Sequence, residues 1–105
     1  MTDKAKKFDK DKVDYTHLPK SYLEAASRAF MFGEKKYGRH NWKQGFIWSR
    51  LMASLMRHTW SWWEGEELDP ESQLNHLDHA CACLAMIREH VEKQLGEDDR
   101  YESIK

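Results

Sequence analysis

The sequence predicts an all-α protein, a small bundle of three main helices. In three segments the apolar residues recur every three or four positions, which is the period of an amphipathic helix. No segment alternates convincingly between apolar and polar residues, so strands are not expected. The chain has no internal repeats or Gly/Ser linkers, and its 105 residues suit one domain. A chain this short buries a limited share of its surface alone, so we expect a homodimer or higher oligomer to complete the bundle.

The first helix is predicted from about residue 20 to residue 37. Pro19 and Ser21 lie near its start, and Gly38 is a suitable stop because glycine accepts the backbone conformation that ends helices. Its apolar positions are Leu23, Ala26, Phe30 and Met31.

The second helix is predicted from about residue 46 to residue 64, with Gly65 ending it. One stripe of this helix contains Ile47, Leu51, Leu55, His58 and Trp62, and a neighbouring stripe contains Trp48, Met52, Met56 and Trp63. Four of the five tryptophans lie in this segment, too many to face one small core. An exposed aromatic side of this kind usually marks a partner surface, either a second copy of the chain or a host protein.

The third helix is predicted to begin at Asp69, whose side chain can cap it, with Pro70 and Glu71 in the first turn. Gly96 is expected to close it. Its predicted apolar face contains Leu74, Leu77, Cys81, Leu84, Ile87, Val91 and Leu95.

Charged segments flank the helices, so we divide the chain into a tail at 1–17, a helical domain at 18–96 and an acidic tail at 97–105. The first tail carries five lysines, and both tails are expected to be solvated. The acidic residues of the second are Glu97, Asp98, Asp99 and Glu102.

The composition excludes several classes of protein. A formal net charge of −1 gives no overall electrostatic basis for binding nucleic acid. No apolar run of eighteen residues is present, and no secretory signal follows the first lysines, so we expect neither a membrane span nor export. Cys81 and Cys83 are two residues apart on a helix and cannot easily form a disulfide with each other. We therefore expect a reduced, cytoplasmic setting.

A histidine cluster is the first candidate site. His76 and His79 are three residues apart and share a helical face with Cys83, and His58 on the second helix could reach them. Such a set could bind a transition metal. It could equally be a polar seam in which each imidazole is satisfied by a neighbouring carboxylate or carbonyl.

The loop between the first two helices, residues 33–45, is the second candidate site. It combines three glycines with basic and aromatic residues, a combination that suits a nucleotide because cations contact phosphates and rings stack on a base. The alternative is a solvated basic loop whose aromatics fill the core. The candidate binding residues are Lys35, Lys36, Tyr37, Arg39, Asn41, Trp42, Lys43 and, in the next helix, Arg50.

Acidic residues could hold the divalent cations that neutralise phosphate oxygens and activate water. Glu24 and Asp78 are better placed for this role than Glu64, Glu66 and Glu67, because a charge run of that kind usually faces solvent.

The run Phe32-Gly33-Glu34-Lys35-Lys36-Tyr37-Gly38, followed by Asn41-Trp42, resembles the F-G-x-K-K-Y-G…N-W signature of a phage-associated family, the dATP/dGTP diphosphohydrolase N-terminal domain. The resemblance extends over about residues 20 to 90. The later matching blocks are Trp48-Ser49-Arg50-Leu51, Arg57-His58, Gly65-Glu66, Asp69-Pro70-Glu71-Ser72 and His76-Leu77-x-His79-Ala80.

That family is similar to the all-α MazG-like nucleoside triphosphate pyrophosphohydrolases. The resemblance implies an oligomeric helical bundle that converts a dNTP and water into dNMP and pyrophosphate with Mg²⁺ or Mn²⁺. It also implies a role in the nucleotide pool of a phage-infected host, and hence the host cytoplasm.

The sequence departs from the MazG-like pattern at the metal ligands. MazG-like enzymes use E-x-x-E on one helix and E-x-x-D on another, where this chain has Arg57-His58 and His76-x-x-His79. Imidazoles in these positions shift the metal preference from Mg²⁺ towards softer transition metals. The alternative is that the metal is absent and the site binds its ligand without catalysis. We predict His58, His76, His79 and Glu24 as catalytic residues, and His58, His76, His79 and Asp78 as metal ligands. Arg57 joins the predicted substrate-binding residues. A non-catalytic protein that binds a nucleotide, or inhibits a host protein through its tryptophan-rich helix, is the alternative.

Overall fold

The computed structural model describes residues 3–101 and confirms the all-α fold. Its helices are α1 (Lys20–Tyr37), α2 (Trp48–Trp63) and α3 (His76–Lys93), with short 3-10 helices at Tyr15–His17 and Asn41–Gln44. Within residues 3–101 there is no strand, only two isolated β-bridges. No helix in this part of the chain is long and apolar enough to cross a membrane.

The bounds of α1 agree with the sequence prediction, and those of α2 nearly do. Pro19 precedes the first residue of α1, and the helix ends at Gly38, whose φ of 93° favours glycine. The second helix begins at Trp48, two residues later than predicted, because Phe46 and Ile47 pair with the chain beyond α3.

The predicted start of α3 at Asp69 is wrong. The helix begins at His76, where the side chain of Asn75 caps it by accepting a hydrogen bond from the Leu77 amide at 2.8 Å. Asp69 instead caps a turn, since its carboxylate accepts from the Ser72 amide at 2.8 Å. The turn continues through Gln73, whose φ is 61°, so the backbone cannot be helical there.

The third helix is the centre of the molecule, because α1 and α2 both pack on it and have no extensive contact with each other. Small side chains fill these contacts. The buried apolar residues are Ala25, Ala29, Leu51, Ala80, Ala82 and Cys83. Three polar residues, His76, Asp78 and His90, are also buried. The two outer helices therefore stand on either side of α3 and leave a groove between them.

The predicted apolar face of α3 does not form the core. Leu77, Leu84 and Val91 are 37%, 48% and 39% exposed, while the faces turned to α1 and α2 carry alanine, cysteine and histidine. Met52, Met56 and Trp63 on α2 are also exposed and lie about half a turn from its groove side. We name the exposed apolar residues of these two helices the apolar back face; it consists of Met52, Met56, Trp60, Trp63, Leu77, Leu84 and Val91.

Residues 97–100, which the sequence assigns to the acidic tail, form hydrogen bonds with the start of α2. The Glu97 carbonyl accepts from the Trp48 amide at 2.9 Å, and the Asp99 carboxylate accepts from the Ser49 amide at 3.0 Å. Asp99 thereby caps the start of α2, where Ile47 offers no side-chain acceptor. The Arg100 guanidinium lies 5.0 Å from the centre of the Trp48 ring. Glu102, also assigned to the tail, lies outside the described residues.

Two glycines allow this end of the chain to cross the segment before α2. A Cβ on Gly45 would lie 2.6 Å from the Gly96 nitrogen, and a Cβ on Gly96 would lie 2.8 Å from both Phe46 N and C and would overlap its carbonyl oxygen. His90, fully buried, holds the same segment: its Nε2 accepts from the Phe46 amide at 3.1 Å and its Nδ1 donates to the Met86 carbonyl at 2.8 Å. The crossing fixes the loop that forms one end of the groove.

Candidate functional site

The groove between α1 and α2 has a volume of about 1000 Å³, and α3 forms its floor. The second and third helices each contribute one stripe, because residues spaced by three or four positions share a face. These stripes are Arg50, Leu51, Ser54, Arg57 and His58 on α2, and His79, Ala82, Cys83 and Met86 on α3. On α1 the lining is broader and consists of Ser27, Ala29, Phe30, Met31, Phe32, Gly33, Glu34, Lys36 and Tyr37. The loop from Gly38 to Phe46 closes one end. The size is typical of a ligand site.

Three histidines meet at the other end of the groove, as the sequence predicts. His58 Nδ1 and His76 Nδ1 are 2.8 Å apart. The rings of His58 and His79 are stacked, with centroids 4.5 Å apart. His79 Nε2 lies 2.6 Å from the Ser72 hydroxyl oxygen, and Phe32 contacts the His79 ring edge-on at 6.0 Å. The imidazoles are thus held by one another, by a hydroxyl and by an aromatic ring.

Two carboxylates join the histidines, and neither was selected from the sequence. Asp69 Oδ2 is 3.9 Å from His79 Nε2, and one ligand atom each from His58, Asp69 and His76 lie within 4.8 Å of one another. Glu66 Oε1 lies 2.6 Å from His76 Nε2, on the side of the ring away from His58. Both acids lie in the loop between α2 and α3, and helical periodicity cannot predict where the side chains of a loop lie. The sequence signal that could have identified them is their position in the family-like blocks Gly65-Glu66 and Asp69-Pro70-Glu71-Ser72.

The electrostatics keep the cluster in the protonation state that metal ligands need. Burial, with the neighbouring His79, lowers the pKa of His58 to about 4. Burial also lowers the pKa of His79. Burial would raise the pKa of Asp69, but hydrogen bonds from the backbone and side chain of Ser72 hold it below its usual value. Near pH 7, His58 and His79 are therefore neutral and Asp69 is ionised.

This donor set fits a divalent transition metal. Neutral imidazole nitrogens and one carboxylate are borderline ligands, which suit Zn²⁺, Co²⁺, Ni²⁺ or Mn²⁺ better than the all-oxygen shell that Mg²⁺ prefers. The Nδ1 atoms of His58 and the buried His76 face each other, a contact that either one N–H donating to the other nitrogen or a bound cation can satisfy. His58, Asp69 and His76 form the one such group among residues 3–101.

Basic side chains line the groove beside the cluster. Four of the predicted phosphate ligands, Lys36, Arg39, Arg50 and Arg57, are among the lining residues, together with Lys43. Lys36 donates to Glu71 at 2.8 Å and so joins the end of α1 to the loop that carries Asp69. Lys35 is exposed and does not line the groove. The groove therefore presents several cations next to the histidines.

The aromatic residues of the loop occupy different environments. Trp42 lines the groove and packs on Phe30 and His90, with ring centroids 5.5 Å and 6.1 Å apart. Tyr37 lines the groove but is 62% exposed, with Lys36 over its ring at 5.2 Å. Asn41 also lines the groove and accepts from Gln44 at 3.2 Å. Trp42 is thus part of the wall, whereas Tyr37 stands at the mouth.

Three predicted residues are not gathered at the cluster. Glu24 is exposed, lies 3.9 Å from Lys20 and does not line the groove. Asp78 is buried against Arg28, whose Nε donates to it at 2.8 Å. Cys83 lines the groove but donates to Ser54 at 3.5 Å, and burial raises the pKa of its thiol. The acids beside the histidines are therefore Asp69 and Glu66, not the predicted Glu24 and Asp78.

Comparison with known proteins bears on the same residues. The family model described as dATP/dGTP diphosphohydrolase, N-terminal, matches residues 2–100. A dATP/dGTP diphosphohydrolase of Salmonella phage PMBT28 is 33% identical over 94 residues, which are 90% of this chain and 32% of that protein. The chain thus spans about a third of the length of the relative it matches. No solved structure gives a significant match.

Proposed function

The chain belongs to the dATP/dGTP diphosphohydrolase N-terminal family, and on that premise we propose that it is a metal-dependent deoxynucleoside triphosphate pyrophosphohydrolase. The reaction is attack of water on a dNTP to release dNMP and pyrophosphate, which suits control of a phage nucleotide pool. One observation carries the proposal: His58, Asp69 and His76 offer ligand atoms within 4.8 Å of one another, and His58 and Asp69 line a groove together with basic side chains.

In this proposal, His58, Asp69 and His76 hold a divalent cation, with Glu66 behind His76. A bound cation neutralises phosphate oxygens and lowers the pKa of a water molecule. His79 lines the groove and is neutral near pH 7, so with Nε2 donating to Ser72 its other ring nitrogen, Nδ1, would be the one able to accept a proton from a water molecule. The hydrogen bond between Ser72 and His79 orients the imidazole for this role.

The rest of the groove suits the nucleotide. Arg57 is next to His58 and Arg50 lies two turns earlier on the same stripe, about 10 Å along the axis of α2. These cations, with Lys36 and Arg39, can spread along a triphosphate chain. Trp42 and Phe30 provide an apolar wall for the base at the other end. Arg57 and the cluster would therefore bind the reacting phosphates, and the loop would bind the nucleoside.

The test is a panel of dNTPs incubated with Mg²⁺, Mn²⁺, Co²⁺ and Zn²⁺, with products separated by anion-exchange chromatography. We expect dNMP and pyrophosphate in equal amounts with at least one metal. Product formation should be lost in His58→Ala and Asp69→Asn, and retained in His17→Ala, a fully exposed histidine on the short 3-10 helix. Absence of pyrophosphate from every nucleotide and metal combination contradicts the proposal.

A second candidate function is nucleotide binding without turnover. One observation favours it: where MazG-like enzymes carry their paired acids, this chain has Arg57-His58 and His76-x-x-His79. Calorimetric titration separates the two functions. Tight binding of a dNTP with no dNMP after prolonged incubation supports the binding module.

We also propose that the apolar back face is covered in a homo-oligomer. Trp60 and Trp63 are 64% and 73% exposed, and burial of such side chains is a main source of binding free energy at interfaces. Sedimentation should give a dimer or larger species that Trp63→Glu dissociates. A monomer that instead captures a host protein through Trp60 and Trp63 supports the alternative of a host partner.

A further inference from the structure

We propose that Glu66 is a positioning residue that fixes the tautomer of His76, so that the Nδ1 lone pair of His76 faces His58 and Asp69. The inference rests on the proposed metal site, but it concerns a residue outside the ligand set. The sequence alone assigned Glu66 to a solvent-facing charge run.

The first observation is a short hydrogen bond on a buried ring. Glu66 Oε1 lies 2.6 Å from His76 Nε2, and the His76 side chain is 4% exposed. An ionised carboxylate only accepts, so Nε2 must carry the hydrogen. A neutral imidazole has one N–H, and the hydrogen on Nε2 therefore leaves a lone pair on Nδ1.

The second observation is the direction of that lone pair. His76 Nδ1 lies 2.8 Å from His58 Nδ1, and both residues belong to the group whose ligand atoms lie within 4.8 Å of one another. A metal can bind His76 here only through Nδ1, because Nε2 is already occupied by the carboxylate. A histidine ligand whose second nitrogen donates to a carboxylate is a recurrent arrangement in metal proteins, where the carboxylate orients the ring and raises its basicity.

The backbone holds Glu66 in place independently of its side chain. The Glu66 amide donates to the Ser61 carbonyl at 3.0 Å, in the last turn of α2. The neighbouring Glu67 carbonyl accepts from the His76 amide at 2.9 Å, and Leu68 and Asn75 form a β-bridge. The loop from α2 to α3 is thus fastened on both sides of Glu66, so the carboxylate is presented to His76 by a defined backbone.

A purely structural ion pair is the competing interpretation. The Glu66 side chain is 51% exposed, but the His76 side chain is 4% exposed, so removal of Glu66 leaves a buried N–H without its acceptor and some loss of stability follows from either interpretation. Only a positioning role also changes the hydrogen position on the His76 ring and the affinity of the folded protein for metal.

The experiment compares the full-length protein with Glu66→Ala, Glu66→Gln and the matched control Glu67→Gln. Glu67 is the adjacent residue, but its carboxylate accepts from Asn75 at 3.2 Å and does not contact a histidine. Zn²⁺ and Mn²⁺ are titrated calorimetrically into each protein. Separately, two-dimensional ¹⁵N–¹H spectra of the metal-free protein assign the histidine tautomers, and circular dichroism verifies folding.

We expect Glu66→Ala to weaken metal binding about 10- to 100-fold, which is the usual effect of losing such a carboxylate. The metal affinity of Glu66→Gln should lie between those of the wild type and Glu66→Ala, because the amide oxygen still accepts from Nε2 but lacks the charge. The wild-type spectrum should show His76 with its hydrogen on Nε2, and Glu66→Ala should lose that preference.

Two results would overturn the inference: a wild-type His76 with its hydrogen on Nδ1, or a Glu66→Ala protein whose metal affinity equals that of Glu67→Gln. Failure of the proposed function gives a different result. If the wild type binds no metal, the metal site is refuted, while the tautomer measurement still tests Glu66 on its own.

Discussion

Replacement of Gly96 by alanine should destabilise the protein more than any other single methyl group added to the chain's glycines. Gly96 has a φ of +63°, which costs an ordinary residue about 1–2 kcal/mol. The new Cβ would also lie 2.8 Å from Phe46 N and C and closer still to its carbonyl oxygen, so backbone must move. Forced shifts of this kind cost about 1–3 kcal/mol. Together they predict a loss of roughly 2–5 kcal/mol, a large part of the stability of a small domain.

The measurement is urea unfolding followed by far-UV circular dichroism, with Gly96→Asn and Gly33→Ala alongside. Asparagine tolerates a positive φ but carries the same Cβ, so it should lose nearly as much as alanine if the contact with Phe46 dominates. Gly33 is helical and nothing lies within 4 Å of its added Cβ, so alanine there should stabilise by about 0.5–1 kcal/mol. If the free energy of unfolding of Gly96→Asn lies within about 0.5 kcal/mol of the wild-type value, Gly96 does not cross closely over Phe46.

Three further predictions concern the histidines, the helix cap and the buried acid. Because burial holds the pKa of His58 at about 4 in the folded protein, the unfolded chain binds its proton first as the pH falls below about 6.5. The metal-free protein should therefore lose roughly 1–2 kcal/mol between pH 6.5 and pH 4 from His58, a figure reduced for solvent screening. Urea midpoints measured with a chelator present should show this loss, and His58→Gln should show a smaller one, because the lowered pKa of His79 still contributes. Asp99→Ala removes the cap of α2 and should cost about 0.5–2 kcal/mol, measured by thermal unfolding; an unchanged midpoint would mean that residues 97–100 are not docked in solution. Arg28→Met leaves the buried carboxylate of Asp78 unpaired, so it should lower the melting temperature clearly more than Arg88→Met does, because the pair between Arg88 and Glu92 is exposed. Equal decreases in melting temperature would contradict the burial of Asp78.

The sequence is informative where local signals decide the structure. The bounds of α1 are predicted because Pro19 and Gly38 act through backbone geometry that no tertiary contact has to supply. The start of α3 is missed because Asp69 caps turns and helices equally well. The choice between Asp69 and Asn75 depends on which amides lie nearby after folding, as the hydrogen bonds of Ser72 and Leu77 show.

Hydrophobic periodicity identifies the apolar side of a helix but not the side that is buried. In α3 the regularly spaced Leu77, Leu84 and Val91 are exposed, and the side that packs within the chain carries small and polar residues such as Ala82 and His76. A pattern that counts large apolar residues cannot detect such a face, because alanine and histidine add little to it.

The candidate site follows the same division. The meeting of His58 with His76 and His79 follows from helical spacing, which a sequence displays directly. Asp69 and Glu66 come from a loop, and their positions depend on turns that spacing cannot describe. Glu24 and Asp78 were predicted as site acids, yet each is paired with a basic residue of α1, Lys20 for Glu24 and Arg28 for Asp78.

The absence of extensive contact between α1 and α2 has a mechanical consequence. Each outer helix packs separately on α3, and both interfaces contain small side chains such as Ala25, Ala29 and Ala80. Small side chains interlock weakly, so α1 or α2 can slide or tilt on α3 by shear with little effect on its contacts with the other outer helix. The width of the groove is then an adjustable quantity, set by how the two outer helices pack on α3.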